Sequence, residues 1–234
     1  MLNREDNTFT KDWMAEVNHY LDIVDKIPDE EATVLVTLGA GEKRFSTGFD
    51  LKWWAEDYPA NAHSSIPELQ LLLARFLGLR VPTMAVMRGH VYAGGLLMAL
   101  AHDIRLMSAN RGKVCLSAIK MGIAPPSGLN HLCKSTLPIQ TFREIQYGKA
   151  YTPQEAMNMS LITDTFTDHA ELHSKLQQFS MDFGPASLHK DAIATNKQLM
   201  FKDTLTALRT ECYSPSMLSQ MSRAKNLVQT LARK

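Results

Sequence analysis

FSTGFDLKWW (Phe45–Trp54) and RGHVYAGGLLMALAHDIRLM (Arg88–Met107) are the two stretches whose reading decides how this chain folds. The first follows a strand and opens a helix. Gly48 permits a backbone turn there, and Asp50 is placed to cap the helix beyond it. Such a turn leaves successive backbone N–H groups directed into a cleft, near the positive end of a helix dipole. In the second stretch Gly94 and Gly95 stand where a strand hands over to a helix, so another N–H can approach a ligand with no Cβ in the way. One paired glycine ahead of a helix is an ordinary connection. Two such turns, each after a strand, point to a place where negative charge on a bound oxygen is stabilised.

Working outward, Thr10–Lys26 has the spacing of an amphipathic helix: Trp13, Val17, Tyr20, Leu21 and Val24 recur at steps of three and four, with Thr10 as N-cap. TVLVTL (Thr33–Leu38) reads as a short buried strand that ends in the loop Gly39–Arg44. A helix is expected from Pro67 to Arg80, and a second strand over Thr83–Met87 after the proline that breaks it. Gly89–Gly95 reads as a turn into a helix running through Ala101, and Asp103–Ser108 and Val114–Leu116 as further strands. From Thr136 onward the pattern is mostly helical, punctuated by Gly184-Pro185 and Ser214-Pro215. Strand–turn–helix units without a sequence repeat predict a layered α/β fold: a core over residues 1–185 and a helical extension over 186–234.

Composition removes several classes of function. The formal net charge of the 234 residues is +1, so no global field recruits nucleic acid or anionic lipid. Cys115, Cys133 and Cys212 are scattered without metal-ligand spacing; no metal site is expected, and they read as reduced thiols. The longest apolar stretch, around Val91–Ala101, is too short and interrupted to span a bilayer. MLNREDNTFT has no apolar run and carries two acidic residues, unlike a signal or presequence, and the terminal LARK is not an SKL-type address.

At this point the motifs resemble a known family. FSTGFDLK is similar to the crotonase (enoyl-CoA hydratase/isomerase) signature F-S-A-G-x-D-L-K, and Arg88–Met107 to the second signature of that family. The resemblance continues through Arg111–Leu129 and Tyr147–Ile162, with Ser160 in place of a usual glycine, and back to EDNTFTKDW (Glu5–Trp13). The GHV-x-A-G-G and A-L-A-H-D runs most resemble the Δ3,Δ2-enoyl-CoA isomerase branch. The resemblance implies the ββα spiral of the crotonases with helices at its C-terminal end, lacking the β-hairpin that usually precedes the opening segment. It implies that the amides of Phe49 and Gly94 grip a thioester oxygen, that Asp50, Leu51 and Lys52 line the CoA entrance, and that the ligand is an acyl-CoA with no separate cofactor. It further implies a homotrimer, a hexamer or a place in a larger assembly through the C-terminal helices. The implied compartment is the mitochondrial matrix, with peroxisome and cytosol as alternatives.

The same resemblance exposes a departure. Isomerases of this family place a glutamate where this chain has Ala118, hydratases place one where it has Leu97, and a third family position falls near Pro126. None of these side chains can accept a proton, and loss of a positioned base removes about 10²–10⁴-fold of rate. Tyr92, beside the glycine turn, is either a packing residue or a substitute acid–base group; His131, His90 and His102 are read as structural or solvated. Trp53 and Trp54 cannot share one face of a helix, so one of them is expected at an acyl pocket or a subunit contact. Two functions follow as expectations: a catalytically impaired acyl-CoA-binding or structural subunit, or an active isomerase of fatty-acid oxidation with a non-standard base.

Overall fold

The computed structural model describes residues 7–210 and 212–233, so the Glu5-Asp6 start of the opening motif lies outside it. Among the described residues, seven strands follow helix α1 (Lys11–Asp25) and alternate between two sheets. The larger sheet takes β1 (Leu35–Leu38), β3 (Thr83–Met87), β5 (Ile104–Ser108) and β7 (Asp164–Phe166), side by side in that order. The smaller takes β2 (Arg44–Ser46), β4 (His90–Tyr92) and β6 (Val114–Cys115). All neighbours are parallel, which requires a crossover between them. Each turn of chain therefore lays one strand in each sheet and returns through helix: α2 (Leu51–Glu56) and α3 (Ala60–Leu77), then α4 (Gly94–Leu100), then α5 (Ser127–Thr136). This is the ββα spiral of the crotonases.

The helical remainder comprises α6 (Ile139–Ile145), α7 (Pro153–Asn158), α8 (His169–Phe183), α9 (Lys190–Met200), α10 (Lys202–Thr210), α11 (Pro215–Arg223) and α12 (Lys225–Ala232). Among the described residues no helix is long and apolar enough to cross a membrane.

The main core lies between and beside the sheets and includes Phe9, Phe45, Met87, Val91, Leu97 and Val114. Leu205 and Leu208 of α10 enter the same cluster, so residues on either side of 185 share one core. On the other face of the large sheet Met84, Val86 and Leu106 pack on Leu172 and Phe179 of α8. A half-buried ion pair ties α9 to the same sheet: Lys197 Nζ donates to Asp103 Oδ2 at 2.7 Å, the oxygen that also receives the Thr83 amide at 2.8 Å.

Several expectations are corrected. β1 is an edge strand, not a buried one: Val36 and Leu38 are 37% and 40% exposed. A short β-branched run has the same composition at an edge as at a centre. The presumed Gly89–Gly95 turn contains β4, and α3 begins seven residues before Pro67. A proline inside a helix deprives the carbonyl four residues earlier of its donor. Here that carbonyl is His63 O, and the Tyr213 hydroxyl donates to it at 2.5 Å. A residue 146 positions downstream thus supplies the donor that Pro67 lacks (213 minus 67).

Candidate functional site

The two turns that open the sequence reading meet. Asp50 caps α2, its Oδ1 accepting from the amides of Lys52 at 2.9 Å and Trp53 at 3.1 Å. Upstream, the Phe9 amide donates to Gly48 O at 2.8 Å and the Asp50 amide to Phe9 O at 3.0 Å, leaving Phe49 N–H between them without a partner among the described residues. Gly48 has φ +84°, and a Cβ placed on it would lie 2.7 Å from Gly94 N. A Cβ on Gly94 would meet the Phe9 ring at 2.9 Å and Gly48 Cα at 3.2 Å. Only glycine at both positions lets these backbones touch.

Gly94 N–H, the first amide of α4, likewise donates to no described residue. Ala93 before it is held at φ 48°, ψ −118°, a conformation costing a non-glycine residue about 1–3 kcal/mol. The strain sits in the turn that presents the amide.

A cavity of about 730 Å³ opens here, lined by Phe49 and Ala93 and, as the sequence reading expected, by Asp50, Leu51 and Lys52. Residues the sequence reading missed also line it: Arg44, Trp54, Ser117, Lys120, and Leu231 of α12. Among the described lining residues Arg44, Lys52 and Lys120 are basic and Asp50, which caps α2, is acidic. Lys120 stands just past Ala118, the position already singled out. Leu231 carried none, because nothing local announces that a terminal helix folds back over α2.

The proton-transfer positions look different. Leu97 is buried in the main core. Ala118 opens a 3-10 turn (Ala118–Met121) between the cavity-lining Ser117 and Lys120. Pro126 lines another groove, of about 960 Å³, together with His131.

Tyr92, the candidate substitute base, is paired with a histidine beside the turn. It is not among the residues lining the amide cavity, and its hydroxyl lies 3.0 Å from His90 Nδ1. Burial pushes its phenol up, with Cys115 adding to the rise and Arg44 opposing it, so the proton is held rather than released. His102 is structural. Burial depresses it to about 4, so the neutral ring donates from Nδ1 to Met98 O at 2.8 Å and its Nε2 accepts from the Thr37 hydroxyl at 2.7 Å. Among the described residues no group of three His, Cys, Asp or Glu side chains is placed to hold a metal ion.

Two interleaved parallel sheets with paired backbone donors at the β2–α2 and β4–α4 turns define a crotonase-type scaffold. The chain belongs to the enoyl-CoA hydratase/isomerase family, whose model matches residues 1–228. It is 30% identical over 177 residues to enoyl-CoA delta isomerase 3 of Arabidopsis thaliana, 73% of each chain. It is 29% identical over 153 residues to the peroxisomal enoyl-CoA delta isomerase 2 of the same plant, 62% of this chain and 63% of that one. In fold it is similar to the apo enoyl-CoA isomerase of Mycobacterium tuberculosis, with a TM-score of 0.78 at 20% identity over 95% of this chain and 92% of that one.

Proposed function

We propose that this protein binds acyl-CoA thioesters through the amides of Phe49 and Gly94 and is impaired in proton transfer. The observation that carries the reading is the pair of unpartnered amides on two touching turns, of which Phe49 and Ala93 line a cavity shared with Arg44, Lys52 and Lys120. A thioester oxygen suits the amides, and the CoA phosphates suit Arg44, Lys52 and Lys120. Apolar side chains at positions 97, 118 and 126 support the loss of the general base. The test is Ala118→Glu assayed with a 3-enoyl-CoA. The variant is expected to gain about 10²-fold or more in turnover over the parent chain. Parent turnover already at the level of a family isomerase refutes the impairment.

A second reading, an active isomerase with another base, is supported by the two plant relatives that carry isomerase names. For compartment, the relative named peroxisomal supports the peroxisomal alternative over the mitochondrial one. Association into a trimer or a larger assembly is supported by Met181, Leu199 and Met200 on the later helices, each at least 63% exposed.

A further inference from the structure

Beyond the amide pair the cavity is walled. Trp54 lines it and stacks on the ring of Phe49, the residue whose amide serves the site, with centroids 4.7 Å apart and planes 29° apart. Behind it, Trp54, Tyr58, Ile66, Ile123, Met217 and Met221 form a continuous buried cluster distinct from the main core. The cluster reaches the second groove as well, where Met217 is a lining residue. Two polar anchors fix the aromatic members. Trp54 Nε1–H donates to Ser65 Oγ at 3.0 Å, and the Tyr58 hydroxyl donates to Met221 O at 2.8 Å. Displacing either ring would strand a buried donor, which costs as much as a lost hydrogen bond and its desolvation.

We infer that the wall of Trp54 and Tyr58, closed from α11 by Met217 and Met221, ends the acyl site shortly past the thioester, so that the chain selects short-chain acyl-CoA. This rests on the thioester-binding reading and adds the substrate class to it. An alkyl chain that enters an apolar pocket tightens binding by about four-fold per buried methylene. A chain that meets a wall gains almost nothing per methylene, because its distal carbons stay in water. Trp54 lines the amide cavity and Met217 the groove at Pro126, and both belong to the one buried cluster, so removing the indole is expected to deepen the amide cavity toward that groove.

The experiment is isothermal titration of the purified chain with butyryl-CoA and dodecanoyl-CoA, for the parent, Trp54→Ala and Met217→Ala, with thermal melts to establish that each variant is folded. In the parent the two affinities are expected within about ten-fold, whereas burial of the eight extra methylenes would separate them by more than about a thousand-fold. Trp54→Ala is expected to raise the preference for dodecanoyl-CoA over butyryl-CoA, measured within the one variant, by about thirty-fold or more relative to the parent. Met217→Ala, which thins the wall from the other side, moves the same way by less, and it carries the test if Trp54→Ala fails to fold. A parent that prefers dodecanoyl-CoA by about a hundred-fold or more overturns the wall while leaving thioester binding intact. So do folded variants that gain nothing. A parent that binds neither thioester overturns the thioester reading, and the wall's role with it.

Discussion

Replacing Gly48 with alanine tests whether the contact between the two turns is what holds the amides together. Two costs arise. The residue sits at φ +84°, where an L side chain costs about 1–2 kcal/mol. The new Cβ also arrives 2.7 Å from Gly94 N and 3.2 Å from Ala93 Cβ, against backbone that cannot rotate away, and such overpacking costs about 1–3 kcal/mol. Gly122 supplies the control. It has φ +70°, but a Cβ there meets nothing within 4 Å, so Gly122→Ala should cost only the conformational part, about 1–2 kcal/mol. Urea unfolding of both variants gives the comparison directly. Gly48→Ala is expected to be the less stable by about 1–3 kcal/mol, with butyryl-CoA binding weakened about ten-fold or more because the turns are pushed apart. Equal destabilisation of the two variants would show that the close approach is not made, and the convergence of the amides would go with it.

Two further outcomes are expected. Ala93→Gly should raise stability by about 1 kcal/mol in thermal melts, because glycine occupies φ 48° without the penalty alanine bears; a loss instead would place the strain elsewhere. His102 is held at about 4, below its ordinary 6.5, so the unfolded chain binds its proton first as pH falls. Its contribution is fully present above pH 6.5, declines between there and about 4 by about 3 kcal/mol, and is flat below. Unfolding midpoints compared with those of His102→Gln across that window should fall more steeply in the parent, and parallel curves would refute the assignment.

How much of this was legible beforehand follows from what each element needs. α1 could be read because fifteen residues give its period several turns to repeat and Thr10 supplies a cap. β3 could be read because a fully buried central strand is a continuous apolar run. β2, β4 and β7 have three residues each, too few to display an alternation, so of the small sheet only β6 was read, although the amide turns hang from β2 and β4. The early start of α3 was hidden because Pro67 looked like a boundary; the Tyr213 hydroxyl that makes it tolerable comes from the far end of the chain. At the site, Phe49, Gly94 and Asp50–Lys52 sit on local turns with local signatures. Trp54 was half-read, as one of a tryptophan pair, and its partner wall from α11 was not.

The cavity draws its walls from Thr8 at one extreme and Ala232 at the other. Part of that enclosure therefore exists only while α12 lies against α2, and a change that loosens this one helix contact would unroof a site whose other walls stay folded.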